Sequence, residues 1–247
     1  MNNPDFGQES PQPAPARQPI VNLPPVVWVV VALLFAIHAL ISIGGEPWRA
    51  WTNYLFAFIP ARFGTAAFAQ VPGSAVWSML TYGFLHGSWA HVSLNCLWLV
   101  VFSKPVEARL GTPRYLILLA LSIIGGALAS LIVHWGEVLI MVGISGGVSG
   151  ILAAAIPLMN GRYDELHDTL RPLRPAELLR NPRALTFTLM WLGLTLATAS
   201  SQYLSTSAFD NQTQVAWDAH LGGFVVGLIG FYILDATIRR KPVHTLH

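Results

Sequence analysis

The chain has 247 residues, 53% of them hydrophobic and 11% charged, with a formal net charge of +2. A water-soluble domain carries about a quarter charged residues, so the composition excludes an ordinary soluble protein and indicates a polytopic membrane protein. The small net charge gives no sign of nucleic-acid binding, and the single cysteine, Cys96, excludes an intrachain disulfide and reads as a packing residue.

In chain order, residues 1–25 ("MNNPDFGQESPQPAPARQPIVNLPP") are rich in Pro, Gln and Asn and have no periodic apolar pattern. They are expected to form a disordered cytoplasmic tail. A transmembrane helix needs about 20 mostly apolar residues. Runs that qualify are Val26 to Ile43, Tyr115 to Val133, Val138 to Met159 and Ala184 to Leu204. Two more are interrupted by polar groups. Phe84 to Phe102 holds His86, His91 and Asn95, and Ala216 to Leu234 holds Asp218 and His220. The predicted fold is therefore all-α, six transmembrane helices over residues 26–236, followed by a short basic tail at 237–247. Residues 44–83 are dense in aromatics (Trp48, Trp51, Tyr54, Phe56, Phe58, Phe63, Phe68, Trp77, Tyr82) and broken by Pro60, Gly64, Pro72 and Gly73. Amphipathic aromatics favour the headgroup region, so this first loop is expected to lie in the membrane interface.

Lys and Arg set the orientation. Twelve of them (Arg17, Lys104, Arg109, Arg114, Arg162, Arg171, Arg174, Arg180, Arg183, Arg239, Arg240 and Lys241) fall on one side of the six-span arrangement, against Arg49 and Arg62 on the other. Both termini are expected to be cytoplasmic. Spans two, four and six then start outside. Counting about 1.5 Å per residue inward from Glu137 and Gln214, Ser145 lies about 12 Å deep, His220 about 9 Å and Ser149 about 18 Å. Depth favours Ser145 as the partner of His220.

"VGISGGVSG" (142–150) fits the G-x-S-x-G elbow of soluble hydrolases, but no alternating strand and helix surrounds it, and an open sheet would not survive in lipid. Small residues also let membrane helices approach, and most of Gly143, Gly146, Gly147, Gly150, Gly223 and Gly227 read as helix contacts. The constellation adds chemistry to that bland reading. A serine hydroxyl becomes a nucleophile when a neutral imidazole can take its proton, and His220 is the only base of span six. The resulting oxyanion needs donors; His91 and Asn95, at i and i+4, share one helix face. Asp218 lies two residues from His220 and is not assigned to a triad. Zinc would require three or four converging ligands; His86 and His91 are five apart, there is no H-E-x-x-H, and no metal or other cofactor is expected. The competing class is a catalytically inactive scaffold that binds other proteins' transmembrane helices; loss of Ser or His would mark it, and both are present.

From about Pro60 to Leu234 the sequence resembles the rhomboid intramembrane serine proteases. "HGSWAHVSLN" (86–95) is similar to that family's H-x4-H-x3-N, "GISGGVSG" (143–150) to its G-x-S-G-x-x-x-G, and "AHLGGFVVG" (219–227) to its A-H-x-x-G-x-x-x-G; "VEARLG" (106–111) resembles the segment after its second span. The resemblance implies six helices around a water-filled cavity and a Ser–His dyad without an aspartate. Ser145 would be the nucleophile and His220 the general base, then acid. The oxyanion would be held by the Ser145 N–H with His91 and Asn95, with His86 and Gly143 in support. Substrates would be single-span membrane proteins whose helix unwinds near small residues. Two positions depart from some bacterial members. Ser149 stands where a tyrosine stacks on the catalytic His, so another group must orient His220. Trp77-Ser78 stands in place of Trp-Arg in the first loop.

Overall fold

A computed structural model describes residues 23–64, 71–164, 169–204 and 216–238. Nearly all of the expected N-terminal tail with Arg17, the tail residues Arg239, Arg240 and Lys241, and the external marker Gln214 lie outside these residues. The described chain is mostly helical. Helix α1 (Pro25–Ile43) opens on a proline, which costs nothing at a position whose N–H would be unpaired. It is followed after the first loop by α5 (Trp89–Leu110), α6 (Thr112–Val133) and α7 (Ser145–Met159), and then by α9 (Pro182–Leu204) and α10 (Trp217–Ala236). Helices α1, α6 and α10 are long and apolar enough to cross a membrane. Their outward faces are also apolar, as at Val29, Ile132 and Ile233. A helix that is hydrophobic all round belongs in a bilayer or a core, not in water.

Two helix starts differ from the sequence expectation. Helix α5 begins at Trp89 instead of Phe84, because Ser88 is its N-cap and accepts a hydrogen bond from the His91 N–H at 3.2 Å. Such a cap satisfies a donor that the first turn leaves orphaned. His86 therefore sits in the turn before the helix. Helix α7 begins at Ser145 instead of Val138. The preceding stretch is held outside the helix: Met141 and Phe58 exchange backbone hydrogen bonds at 2.9 and 3.1 Å, and the Gly143 N–H donates to the Tyr82 carbonyl at 3.0 Å. A rise of 1.5 Å per residue does not apply to this stretch, so the depth scale from Glu137 fails here.

The first loop folds as α2 (Gly45–Phe56), α3 (Ala61–Gly64), α4 (Ser74–Thr81) and a 3-10 turn at Tyr82–Phe84. Its described aromatics differ in exposure, and Phe68 lies outside the described residues. Trp48, Trp51, Tyr54, Phe56 and Trp77 are exposed, whereas Phe58 and Tyr82 are buried in the core. The last carbonyls of a helix have no partner within it, and side chains from further along the chain supply one for α2. The Arg62 guanidinium donates to Ala57 O at 2.7 Å and to Tyr54 O. The Trp77 indole N–H donates to Leu55 O at 2.9 Å, and Thr81 Oγ1 to Phe56 O at 2.8 Å.

Glycine sets the packing of α6, α7 and α10. Thirteen of the 15 residues of α7 are buried. A Cβ on Gly147 would lie 2.8 Å from Ile123 Cγ1 of α6, and one on Gly223 of α10 would lie 2.6 Å from the Gly146 carbonyl carbon. Both are far inside the 3.5–4.0 Å of an ordinary carbon contact, so the Ile123 side chain and the α10 backbone reach the α7 backbone only because these positions carry no side chain. At the far ends of these helices the chain departs from pure helix. Strands β1 (Arg162–Asp164) and β2 (Thr169–Arg171) form an antiparallel pair, followed by the single turn α8 (Pro175–Leu178). Arg109 grips both Asp235 oxygens, at 2.5 and 3.3 Å, and also donates to Leu170 O at 2.9 Å. Tyr232 OH donates to Leu173 O at 2.7 Å.

Candidate active site

Ser145 is the first residue of α7, so its N–H and those of the next residues point out of the helix end. Val148 N–H is the first to find a helical acceptor, Ile144 O at 2.9 Å. The residue two before the serine, Gly143, has φ of +120°, a conformation that side-chain-bearing residues rarely adopt. Its missing side chain also makes room. A Cβ there would lie 2.8 Å from both Cε1 and Nε2 of His91 and 3.7 Å from Nδ2 of Asn95. The imidazole and the amide of α5 thus converge on the backbone immediately before Ser145.

Asn95 is 6% exposed, and its Nδ2 has no hydrogen-bond partner among the described residues. Burying a polar donor unpaired carries a penalty of about 1–3 kcal/mol. A group that normally carries that penalty is here aimed at the turn before a serine. His91 is half-buried and meets His86 edge-on, with ring centroids 5.0 Å apart and planes at 75°. His86 is itself buried, in the turn that joins the first loop to α5. His38 of α1 is also buried and packs edge-on against Trp89 at 4.6 Å.

His220 lies in the first turn of α10, where its N–H donates to Ala216 O at 3.1 Å. Its neighbour Ala219 presents a carbonyl oxygen 3.2 Å from where a Gly146 Cβ would stand. Gly223, less than one turn further along α10, touches the Gly146 backbone as well. The residues flanking Ser145 and His220 are therefore in backbone contact across α7 and α10. Both Ser145 and His220 are partly accessible, while Ser149 is 4% exposed inside the α7 core. The structure gathers Ser145, His220, His91, Asn95 and Gly143 at one end of the bundle, with His86 one ring behind. The Asp218 carboxylate makes no hydrogen bond among the described residues; its Oδ2 lies 3.6 Å from Nε2 of His134.

One residue that sequence reasoning leaves among the interfacial aromatics belongs to the support of this site. Tyr82 donates its hydroxyl to Ile123 O at 2.7 Å, accepts the Gly143 N–H on its carbonyl, and lies 3.2 Å from a Gly146 Cβ position. It braces α6, the turn before Ser145 and the first turn of α7 together. Nothing in its local sequence marks it out from the other loop aromatics.

Apolar helices with a cluster of serine, histidine and asparagine near one end define an integral membrane protein with a polar site at one end of its helix bundle. The Rhomboid domain description matches residues 73–236, well over half of the chain, and the chain belongs to the rhomboid family. Among its relatives, the Rhomboid protease GlpG of Yersinia pestis (strain Pestoides F) is 27% identical over 217 residues, covering 83% of this chain and 61% of that protein. The Rhomboid protease GlpG of Yersinia enterocolitica serotype O:8 / biotype 1B matches with the same identity and coverage. The chain thus spans 61% of the length of these curated relatives.

Proposed function

We propose that the protein is an intramembrane serine endopeptidase that cleaves the transmembrane segments of single-span membrane proteins, with Ser145 as nucleophile and His220 as general base. The Ser145 hydroxyl adds to the scissile carbonyl carbon while His220 takes its proton. The carbonyl oxygen becomes an oxyanion, which accepts hydrogen bonds from Asn95 Nδ2, the His91 ring and the Ser145 N–H. Collapse breaks the C–N bond, and His220 returns its proton to the leaving amine. Water then repeats the sequence on the acyl-enzyme and frees Ser145. His86 and Gly143 support the donors. Helices α1, α5, α6, α7, α9 and α10 are read as six spans, with the first loop in the outer interface and both termini cytoplasmic in a bacterial inner membrane.

The observation that carries this reading is Asn95. Its buried amide donor has no acceptor among the described residues and is aimed beside the turn that leads into Ser145. An oxyanion formed only during reaction is the acceptor such a donor lacks. Membership of the family and the printed names of the relatives favour the same chemistry. The test is labelling of the folded protein with a fluorophosphonate, mapping of the labelled residue, and cleavage of a single-span test substrate. Ser145 should carry the label, S145A should be unlabelled and inactive, and S149A should keep measurable turnover. A folded protein unlabelled at Ser145 and without cleavage activity would leave the helix-binding scaffold as the better reading.

A further inference from the structure

Asp218 is the acid of the first turn of α10, two residues before His220. Its side chain is 2% exposed, and neither carboxylate oxygen has a hydrogen-bond partner among the described residues. An ionised carboxylate buried without a partner is strongly unfavourable. Among the described residues the one ring within ion-pair distance is that of His134, which caps the C-terminus of α6, with Nε2 3.6 Å from Asp218 Oδ2. The other ring nitrogen of His134, Nδ1, lies 2.8 Å from Glu137 Oε2. An ionised Glu137 can only accept, so Nδ1 carries a hydrogen. A neutral His134 would then turn a bare lone pair on Nε2 toward the buried carboxylate. The arrangement becomes attractive when one more proton is present, either on Nε2 as an imidazolium or on Asp218 as an acid that donates to it.

We propose that Glu137, His134 and Asp218 form a proton-holding clasp that fastens the C-terminus of α6 to the first turn of α10 and thereby positions His220. The proposal rests on the reading of His220 as the general base. It supplies the orienting group that the sequence lacks at Ser149. Residues two apart on a helix do not face each other, so Asp218 acts on the turn and not on the imidazole directly. That turn is closed by the His220 N–H on Ala216 O at 3.1 Å, and Asp218 lies inside it. Tyr82 and His220 are also within electrostatic reach of Asp218. The Tyr82 hydroxyl is already committed to Ile123 O. Among the described residues His134 is the side chain at ion-pair distance from the carboxylate, and Glu137 fixes its ring. Asp218 and His134 are positioning residues in this scheme.

The experiment uses the full chain in proteoliposomes with a single-span test substrate and a fluorophosphonate probe. D218A and H134A should each lower kcat about tenfold, a modest part of the ~10²-fold that a 1 Å misplacement can cost. KM should stay within about twofold, since the base acts after binding. Labelling of Ser145 should slow in parallel. The double variant should be no slower than either single one, because both remove the same contact. H134Q, whose amide can donate to Asp218, should recover most of the rate. Unchanged kcat in folded D218A, or a double variant slower by the product of the single effects, overturns the clasp. A fall in melting temperature with kcat per labelled enzyme at the wild-type value also overturns it, since that is the mark of a purely structural role. If D218A does not fold, H134A and H134Q carry the test from the other side. An inactive, unlabelled wild-type protein would remove the proposed function and this inference together. An active wild type with a fully active D218A would remove the inference alone.

Discussion

Replacing Gly223 by alanine should separate Ser145 from His220 with a single methyl group. The added Cβ would meet the α7 backbone at Gly146, 2.6 Å from the carbonyl carbon and 2.8 Å from Cα, with the carbonyl oxygen nearer still. Ordinary carbon contacts are 3.5–4.0 Å, so α7 and α10 must part by about 1 Å at this level. None of these neighbours is a flexible side-chain tip that could swing away. Overpacking of this kind costs about 1–3 kcal/mol in stability. Gly223 follows His220 by three residues and Gly146 follows Ser145 directly, so the displacement falls on the proposed dyad. A misplacement of about 1 Å can cost 10²-fold in rate, and kcat for a single-span substrate should fall by about that factor. The control is Gly193→Ala on α9, where nothing lies within 4 Å of the new Cβ; it should retain activity and gain slightly in helix stability. Reconstituted turnover and thermal unfolding, read on both variants, provide the measurement. Wild-type kcat in a folded G223A protein would refute the claim that this crossing sets the distance between serine and histidine.

Asn95→Ala should lower kcat by about 10²–10³ with little change in KM, the range for loss of one oxyanion donor, and Asn95→Asp should be worse because a carboxylate repels the oxyanion. Both should still be labelled at Ser145. Asp235→Ala should destabilise the fold by about 3–5 kcal/mol, because Arg109, 12% exposed at its side chain, keeps a buried charge without its partner; an R109M/D235L pair should regain much of the loss in an unfolding assay. Glu177 is held below the usual carboxyl value first by the Arg174 N–H and then by Arg171, Arg174 and Arg162. A depressed carboxyl contributes stability that is present above its unfolded value of 4.5 and is lost as pH falls through the lower folded value. Pepsin cleavage within residues 162–181 should accelerate across that acid window in the wild type, while E177Q should be open and insensitive to it.

Where the long helices lie is legible in the sequence because twenty apolar residues in a row have few other uses. Helices α1, α6, α9 and α10 start and stop within about four residues of the apolar runs that announce them. The start of α7 is not legible in that way. Val138 to Val142 is as apolar as the helix that follows it, and its extended path is decided by a distant partner, Phe58, through backbone bonds that leave no trace in residue type. The reverse holds for His86, which apolar content assigns to a span while the Ser88 cap places the boundary after it. The candidate polar residues are legible as motifs, and the four-residue spacing of His91 and Asn95 foretells their shared face. What joins the motifs is the contact of Gly146 with Gly223 and the brace at Tyr82. Both depend on how helices cross, which spacing within one helix does not encode. The loop contacts of Arg62 are of the same kind: a basic residue in a loop reads as a topology signal until the carbonyls it caps are seen.

On the proposed six-span reading, the shortness of α7 bears on how the protein enters its membrane. Its 15 helical residues reach about 22 Å, short of the ~30 Å hydrocarbon layer. The mismatch is harmless once folding is complete, because 13 of these residues face protein instead of lipid. A segment hidden in this way is selected for smallness, as the run Ala153, Ala154, Ala155 illustrates, and less for oiliness. During synthesis, however, it meets the translocation machinery before α9 and α10 exist to enclose it. Its glycine-rich, hydroxyl-bearing end would partition poorly by itself. Helices α5 and α6 must therefore be available to receive it, and α7 should remain loosely committed to the bilayer until α10 docks. Biogenesis of this chain should be sensitive to the spacing between α6 and α7, and truncation before α10 should leave α7 accessible to water-soluble thiol reagents while α1 and α6 are already protected.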